Sequence, residues 1–119
     1  MIARIWRGAV RAGDGDAYEQ YIWDTGMQEY GATPGNRGAW MLRRTVPHGT
    51  EGARNYRTVG ENEEFVTLSL WDSLDAVRAF AGEDYETAVF YPEDDRFLVE
   101  RDPKTTHYEV ARHVPGSPS

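Results

Sequence analysis

From Phe65 to Trp71 the chain reads FVTLSLW, a β-branched and aromatic run of strand length. It passes without a loop into a helical pattern. Leu74, Val77, Phe80 and Ala81 recur at i, i+3, i+6 and i+7, which places them on one helical face. Asp72 or Ser73 can accept hydrogen bonds from the free N–H groups of the first turn. Asp75 adds negative charge at the positive helix end, and Gly82 stands where a left-handed cap closes the helix. Strand, cap, amphipathic helix and stop follow one another directly.

The rest of the chain falls into place around this unit. Ile2 to Val10 alternates as a strand with Ile2, Arg4, Trp6 and Gly8 on one face and Ala3, Ile5, Arg7 and Ala9 on the other. Neither face is purely polar, so both are expected to be at least partly covered. Arg11 to Gly15 is a turn, and Asp14 or Asp16 can cap a helix running to about Tyr30. That helix carries a stripe of Tyr18, Tyr21, Ile22 and Thr25, with Trp23 and Met27 to one side and Gly26 as a weak point. Gly31 to Gly38 is a loop with a Pro34-Gly35 turn signal. Ala39 to Val46 is a strand in which Trp40, Leu42 and Arg44 alternate against Met41, Arg43 and Thr45.

Pro47 to Asn62 is long for a hairpin loop, and an extended hairpin with a flexible tip near His48 to Ala53 is expected. Glu83 to Phe90 has the spacing of a second short helix, ended by Tyr91-Pro92. Glu93, Asp94 and Asp95 form an acidic cluster that reads as a solvated face. Asp102-Pro103 is a turn, and Thr105 to Arg112 is the last strand. The order is β-α-β-β-α-β, an α+β, ferredoxin-like arrangement with an antiparallel sheet. One domain is expected over 1–112, with a disordered tail at 113–119. Helices cover only one sheet face, so a second copy is the economical cover for the other, and a homodimer is expected.

Composition narrows the function. A chain of 119 residues with 39% hydrophobic content builds one small core. Net charge of −7 argues against nucleic acid or an anionic membrane as partner. Cysteine is absent, which removes disulfides, thiolate catalysis and Cys-ligated metal. Arg4 and Arg7 interrupt the N-terminal apolar run, and no segment approaches the roughly 18 apolar residues of a membrane span. A cytoplasmic location is therefore expected.

Metal and nucleotide motifs are missing. His107 and His113 share a strand face but stand about 20 Å apart at the usual rise, and His48 lies elsewhere in the chain. Gly13-Asp14-Gly15 matches neither a P-loop nor a dinucleotide fingerprint, and there is no nucleophile elbow. What remains is a large aromatic set: four Trp, seven Tyr and four Phe. Trp6, Tyr21, Trp40, Phe80, Phe90 and Tyr91 are candidate walls of a slot for a flat aromatic ligand, although aromatic side chains also serve as plain core. Arg4 and His107 are the candidate polar contributors. Arg4 reads equally as one half of an ion pair, and His107 as a surface residue of an edge strand.

The motifs MIARIWRG, TPGNRG, SLWDSLDAVRAFAG, YPEDDRF and the final HYEV strand resemble the antibiotic biosynthesis monooxygenase-like group of dimeric α/β barrels, over roughly residues 1 to 112. The resemblance implies a ferredoxin-like protomer, a dimer, and a pocket between sheet and helices. It further implies cofactor-independent oxygenation of anthrone- or quinol-type substrates. In such chemistry the deprotonated substrate itself reduces O₂ in a hydrophobic slot, with His107 or Arg4 assisting. A non-catalytic ligand-binding dimer, and an isomerase or lyase, use the same slot. Other relatives degrade haem with an Asn, a Trp and an axial His at the places of Trp6, Phe80 and Phe90. All three signature residues are absent here, so haem degradation by that route is not expected and no cofactor is expected, with haem binding through another residue as a further, weaker alternative. The same alignment implies that Trp6, Phe80 and Phe90 face one cavity.

Overall fold

The computed structural model describes residues 1–46 and 62–117. The extended hairpin expected over Pro47 to Asn62 lies, except for Asn62, outside the described residues. Five strands form one antiparallel sheet: β1 (Ile2–Arg11), β2 (Asn36–Val46), β3 (Asn62–Trp71), β4 (Leu98–Arg101) and β5 (Thr106–Glu109). Its order is β2-β3-β1-β4, with β5 also pairing β1. The last strand expected over Thr105 to Arg112 is the shorter β5, and β4 is a further short strand that precedes it on the same edge of β1. The two are separated where Asp102 N–H reaches the Arg7 carbonyl at 2.9 Å. The architecture is the expected ferredoxin-like one. None of the described helices is long and apolar enough to cross a membrane.

The registers sort the side chains. Arg4 lies opposite Ser69, Trp6 opposite Thr67 and Gly8 opposite Phe65, while His107 faces Arg4 from β5. Strand alternation then places Arg4, Trp6, Gly8, Val10, Phe65, Thr67, Ser69 and Trp71 under the helices. The opposite face carries Ala3, Ile5, Val66, Leu68, Leu70, Trp40, Leu42 and Tyr108.

Helix α1 (Gly15–Ile22) runs through a wide π-turn (Trp23–Met27) into α2 (Gln28–Ala32). Asp14 precedes α1 without a side-chain cap. Helix α3 (Leu74–Ala81) does have its expected cap, which falls to Ser73: the Oγ accepts from Ala76 N–H at 3.2 Å. Asp72 is occupied instead by an ion pair with Arg37. Gly82 ends α3 at φ 88°, and its N–H bonds the Arg78 carbonyl.

Burial of two clusters holds the helices to the sheet. Val10, Tyr18, Ile22, Phe65 and Phe97 form one, and Tyr30, Trp71 and Val77 the other. Trp71 is fully buried and its indole N–H donates to Ser69 Oγ at 2.9 Å, which removes the cost of burying that donor.

The segment after Gly82 differs from its expected helix. Ala88 N–H donates to the Pro103 carbonyl and Thr105 N–H to the Glu86 carbonyl, with Thr87 bridging Lys104. Its backbone groups are satisfied across to the edge strand, so the helical spacing of Tyr85, Ala88 and Val89 has no hydrogen-bond ladder behind it. Regular structure resumes in one short turn, α4 (Asp94–Phe97).

Gly35 joins α2 to β2 at φ 90°, and its carbonyl accepts from Asp72 N–H at 2.8 Å. A Cβ there would stand 2.6 Å from Ala76 Cβ. Gly35→Ala is therefore expected to lower unfolding free energy by roughly 2–3 kcal/mol through backbone strain and overpacking. Urea denaturation measures this, and an unchanged midpoint would refute the constraint.

Candidate functional site

A cleft lies between the helix-covered sheet face and the irregular segment after α3. Its floor is Arg4 and Trp6 of β1 with Thr67 of β3. Gly8 lets Trp6 lie flat along its strand, because a Cβ at Gly8 would sit 2.5 Å from the indole ring. The interruption of the edge strand then serves the same side chain: the Asp102 carbonyl accepts from Trp6 Nε1–H at 2.8 Å. Trp6 meets Phe90 edge to face at 6.1 Å between centroids.

The helical wall is made where the helix widens. Thr25 and Gly26 line the cleft from the π-turn, between Tyr18 and Ile22 on α1 and Tyr30 on α2. Such a turn re-aims side chains that a regular helix would carry past the site. Gly26, which reads in sequence as a defect, keeps the wall thin: a Cβ there would touch the Tyr91 ring at 3.5 Å. Phe80 enters from α3, packed on Tyr30 and Trp71 at 4.9 and 5.3 Å. Val89, Phe90 and Tyr91 close the far side. The free space at the centre is about 50 Å³, inside a cleft of about 500 Å³ that opens to solvent.

Two ionisable groups are buried against this apolar lining. Arg4 is 2% exposed. Its Nη1 donates to the Tyr85 carbonyl and to His107 Nε2, the latter at 3.0 Å, while the buried Nε has no acceptor. The guanidinium lies over the Phe80 ring at 5.6 Å. Among the described residues no carboxylate comes within ion-pair distance of it. Burial lowers its pKa, yet an arginine side chain stays protonated. A buried cation in this state costs several kcal/mol of folding free energy, by order of magnitude.

The second group is Asp94, 5% exposed. Oδ1 accepts from Tyr18 Oη–H at 3.1 Å and Oδ2 from Tyr91 N–H at 2.6 Å. Burial raises its pKa, and the two hydrogen bonds only partly offset that rise. The expectation of a solvated acidic cluster is thus corrected at this position. The turn from Tyr91 through Pro92 folds the middle member of the run inward, while Glu93 and Asp95 stay exposed. A Pro-initiated turn whose fourth residue is an Asp was the available signal.

The sequence candidates divide accordingly. Arg4, Trp6, Phe80, Phe90 and Tyr91 all line the cleft. Tyr21 stands outside it, packed on Tyr18 and Phe97, and its hydroxyl accepts from Glu93 N–H at 3.0 Å. Trp40 lies on the opposite sheet face and is 47% exposed, because it shares the strand parity of Leu42 rather than of Met41. His107 sits behind Arg4, with Nε2 engaged by the guanidinium and its ring edge-on to Tyr85 at 5.2 Å. Burial and the nearby Arg4 charge lower the His107 pKa. Tyr18, Tyr30 and Tyr91 have raised pKa values, burial being the main cause in each. No group of three metal-ligating side chains occurs among the described residues.

The same arrangement of strands and helices occurs in solved structures. A Bacillus cereus protein named as a candidate antibiotic biosynthesis monooxygenase superposes with a TM-score of 0.61 at 16% identity, covering 99% of this chain and 98% of its own. A point mutant of MhuD, crystallised with two manganese protoporphyrin IX molecules per active site, gives a TM-score of 0.58 at 18% identity, covering 98% of this chain and 100% of its own. The fold is that of the antibiotic biosynthesis monooxygenase-like proteins. No protein-family model matches the sequence, and a comparison with curated proteins finds no match.

Within this fold, the cleft does not fit a porphyrin. Among the described residues its lining holds no His, Cys or Met, and burial raises the pKa of its tyrosine hydroxyls, which favours the neutral form that binds iron poorly. The central space admits a few waters or a small ring, far less than a tetrapyrrole.

The His107 environment has a measurable consequence. Its pKa is lowered from the ordinary 6.5, so the unfolded chain takes up a proton as pH falls through 6.5 before the folded chain does. Stability from this group is present above pH 6.5 and lost below it. Urea midpoints are expected to fall more between pH 7.5 and 5.5 for the wild type than for His107→Gln. Parallel curves would place His107 in an unperturbed setting.

Proposed function

We propose that this protein is a cofactor-independent, monooxygenase-like enzyme acting on a small planar phenol of the quinol or anthrone type. The observation that carries this reading is an aromatic slot holding both a buried carboxylate of raised pKa and a buried cation. Asp94 is the base. A desolvated carboxylate with an elevated pKa removes a phenolic proton more readily than a solvated one. Tyr18 Oη–H and Tyr91 N–H orient it. Arg4 supplies positive potential in a water-poor cleft and so favours the substrate anion. Under this reading His107, whose Nε2 accepts from Arg4, orients the guanidinium instead of serving as the base.

The phenolate is then the reductant. One oxygen atom of O₂ becomes a new carbonyl on the ring, the other leaves as water, and the phenol becomes a quinone. Trp6, Phe90 and Phe80 exclude solvent from the slot. The small central space favours the quinol end of the range, with a tricyclic anthrone needing the Ala88 to Tyr91 segment to move outward.

The reading includes a homodimer. Trp40, Leu42 and Tyr108 are exposed on the sheet face opposite the cleft, and Ile5, Val66, Leu68 and Leu70 lie half-buried among them. Face-to-face packing of two such sheets covers this apolar surface. Light scattering is expected to give twice the 13.5 kDa chain mass, with Trp40→Lys shifting it toward the monomer. A wild-type mass of one chain would remove the dimer.

Oxygen-electrode assays over a panel of quinols and anthrones, with catalase present, test the activity. Uptake is expected with at least one member, and kcat/KM should rise with pH through an inflection above the ordinary carboxylate range. Asp94→Asn should lower kcat by roughly 10²- to 10⁴-fold. A ligand retained on the purified protein with no uptake across the panel would mark a binding protein instead.

A further inference from the structure

We propose that the ligand of this cleft carries a carboxylate as well as its reactive hydroxyl, and that Arg4 binds this second, permanently charged group. The inference deepens the proposed function and rests on the same cleft. It starts from placement. Arg4 lies on the N-terminal side of Trp6 along β1, among Tyr85, His107 and Phe80. Asp94 lies beyond Trp6 in the other direction, bonded to Tyr18, which packs on Val10 and Phe65. Both groups line the one cleft, but their neighbours differ, so we assign them to different oxygens of the ligand.

Charge balance before any reaction points the same way. Arg4 is buried and protonated, and no described carboxylate pairs with it. Nη1 is held by the Tyr85 carbonyl and His107, which fixes the plane of the guanidinium. The Nε–H is closed off from water without an acceptor. A transient phenolate would leave this cation uncompensated in the resting complex. A carboxylate compensates it at once, and it has the planar, two-oxygen geometry that guanidinium groups recognise. His107 cannot serve as counter-charge, since its Nε2 already accepts from Arg4 as a neutral imidazole. The ligand class is thus a hydroxyaryl carboxylate, with its acid group toward β5 and its hydroxyl toward α4.

The test compares isosteres. Binding of para-hydroxybenzoate and para-hydroxybenzamide, with the corresponding hydroxynaphthoate and its amide, is measured by Trp fluorescence and calorimetry. In one or both pairs the wild type is expected to bind the acid at least about tenfold more tightly than the amide. Arg4→Lys should keep that preference in reduced form, and Arg4→Met should abolish it by weakening the acid alone. Without ligand, Arg4→Met should melt at a higher temperature than the wild type, because a buried cation without counter-charge is removed; an arginine with only a structural role would give a lower melting point. Equal binding of acid and amide by the wild type, preference surviving in Arg4→Met, or a lower melting point for Arg4→Met overturns the proposal. Its failure is separable from that of the oxygenase reading. Acid preference without oxygen uptake leaves the carboxylate site standing, and uptake with neutral quinols alone removes the carboxylate site but keeps the oxygenase.

Discussion

Everything at the site depends on the parity of β1. It is the central strand, paired with β3 along its whole length on one edge and with β4 and β5 on the other. With both edges occupied it cannot slip, and a one-residue slip would exchange its two faces. That constraint puts Arg4, Trp6, Gly8 and Val10 beneath the helices and Ala3, Ile5, Arg7 and Ala9 on the other side. Trp6 can lie along the strand only because Gly8 follows on the same face. The floor of the cleft is thus set by two-residue periodicity and one missing side chain.

Two irregularities shape the rest, and each is satisfied by hydrogen bonds. The break between β4 and β5 turns a backbone carbonyl toward the Trp6 indole and sends the neighbouring backbone to pair with the segment after α3. The π-turn between α1 and α2 adds a residue to one helical turn and brings both Thr25 and Gly26 to the cleft. Regular elements would close this space with side chains. Departure from regularity opens it, and at the β4–β5 break the backbone groups of Asp102, Pro103 and Thr105 find partners in Arg7, Trp6 and the segment after α3.

Arg4 and Asp94 are costly to bury, and neither is required by the packing of the two apolar clusters. Asp94 recovers part of that cost through Tyr18 and the Tyr91 backbone, and Arg4 recovers less, having an orphaned Nε–H and no described acid. Groups that lower stability without joining the core are found where binding or chemistry is done. This asymmetry within one small domain sets the cleft apart from the surface ion pairs, such as those of Arg43 with Asp16 and Glu19, which are solvated and weak.

The sequence alone determined the strand-to-helix unit from Phe65 to Gly82 and the order of the main strands and helices, because these follow from local periodicity and caps. Which face of β1 turns inward did not follow from parity, since both faces are mixed, and a shared cavity for Trp6 and Phe80 was implied only by the family resemblance. The sequence carried Trp40 into the same aromatic set, since the parity of a second strand is known only once its register with β3 is formed. It placed Asp94 in a solvated run, since a charge cluster has no periodicity to show which member turns inward. It read Glu83 to Phe90 as a helix, since helical spacing says nothing about partners that Pro103 and Thr105 supply from the edge strand. Tertiary structure decided these points, and with them the composition of the site, because burial and long-range hydrogen bonding are properties of what the chain meets in space.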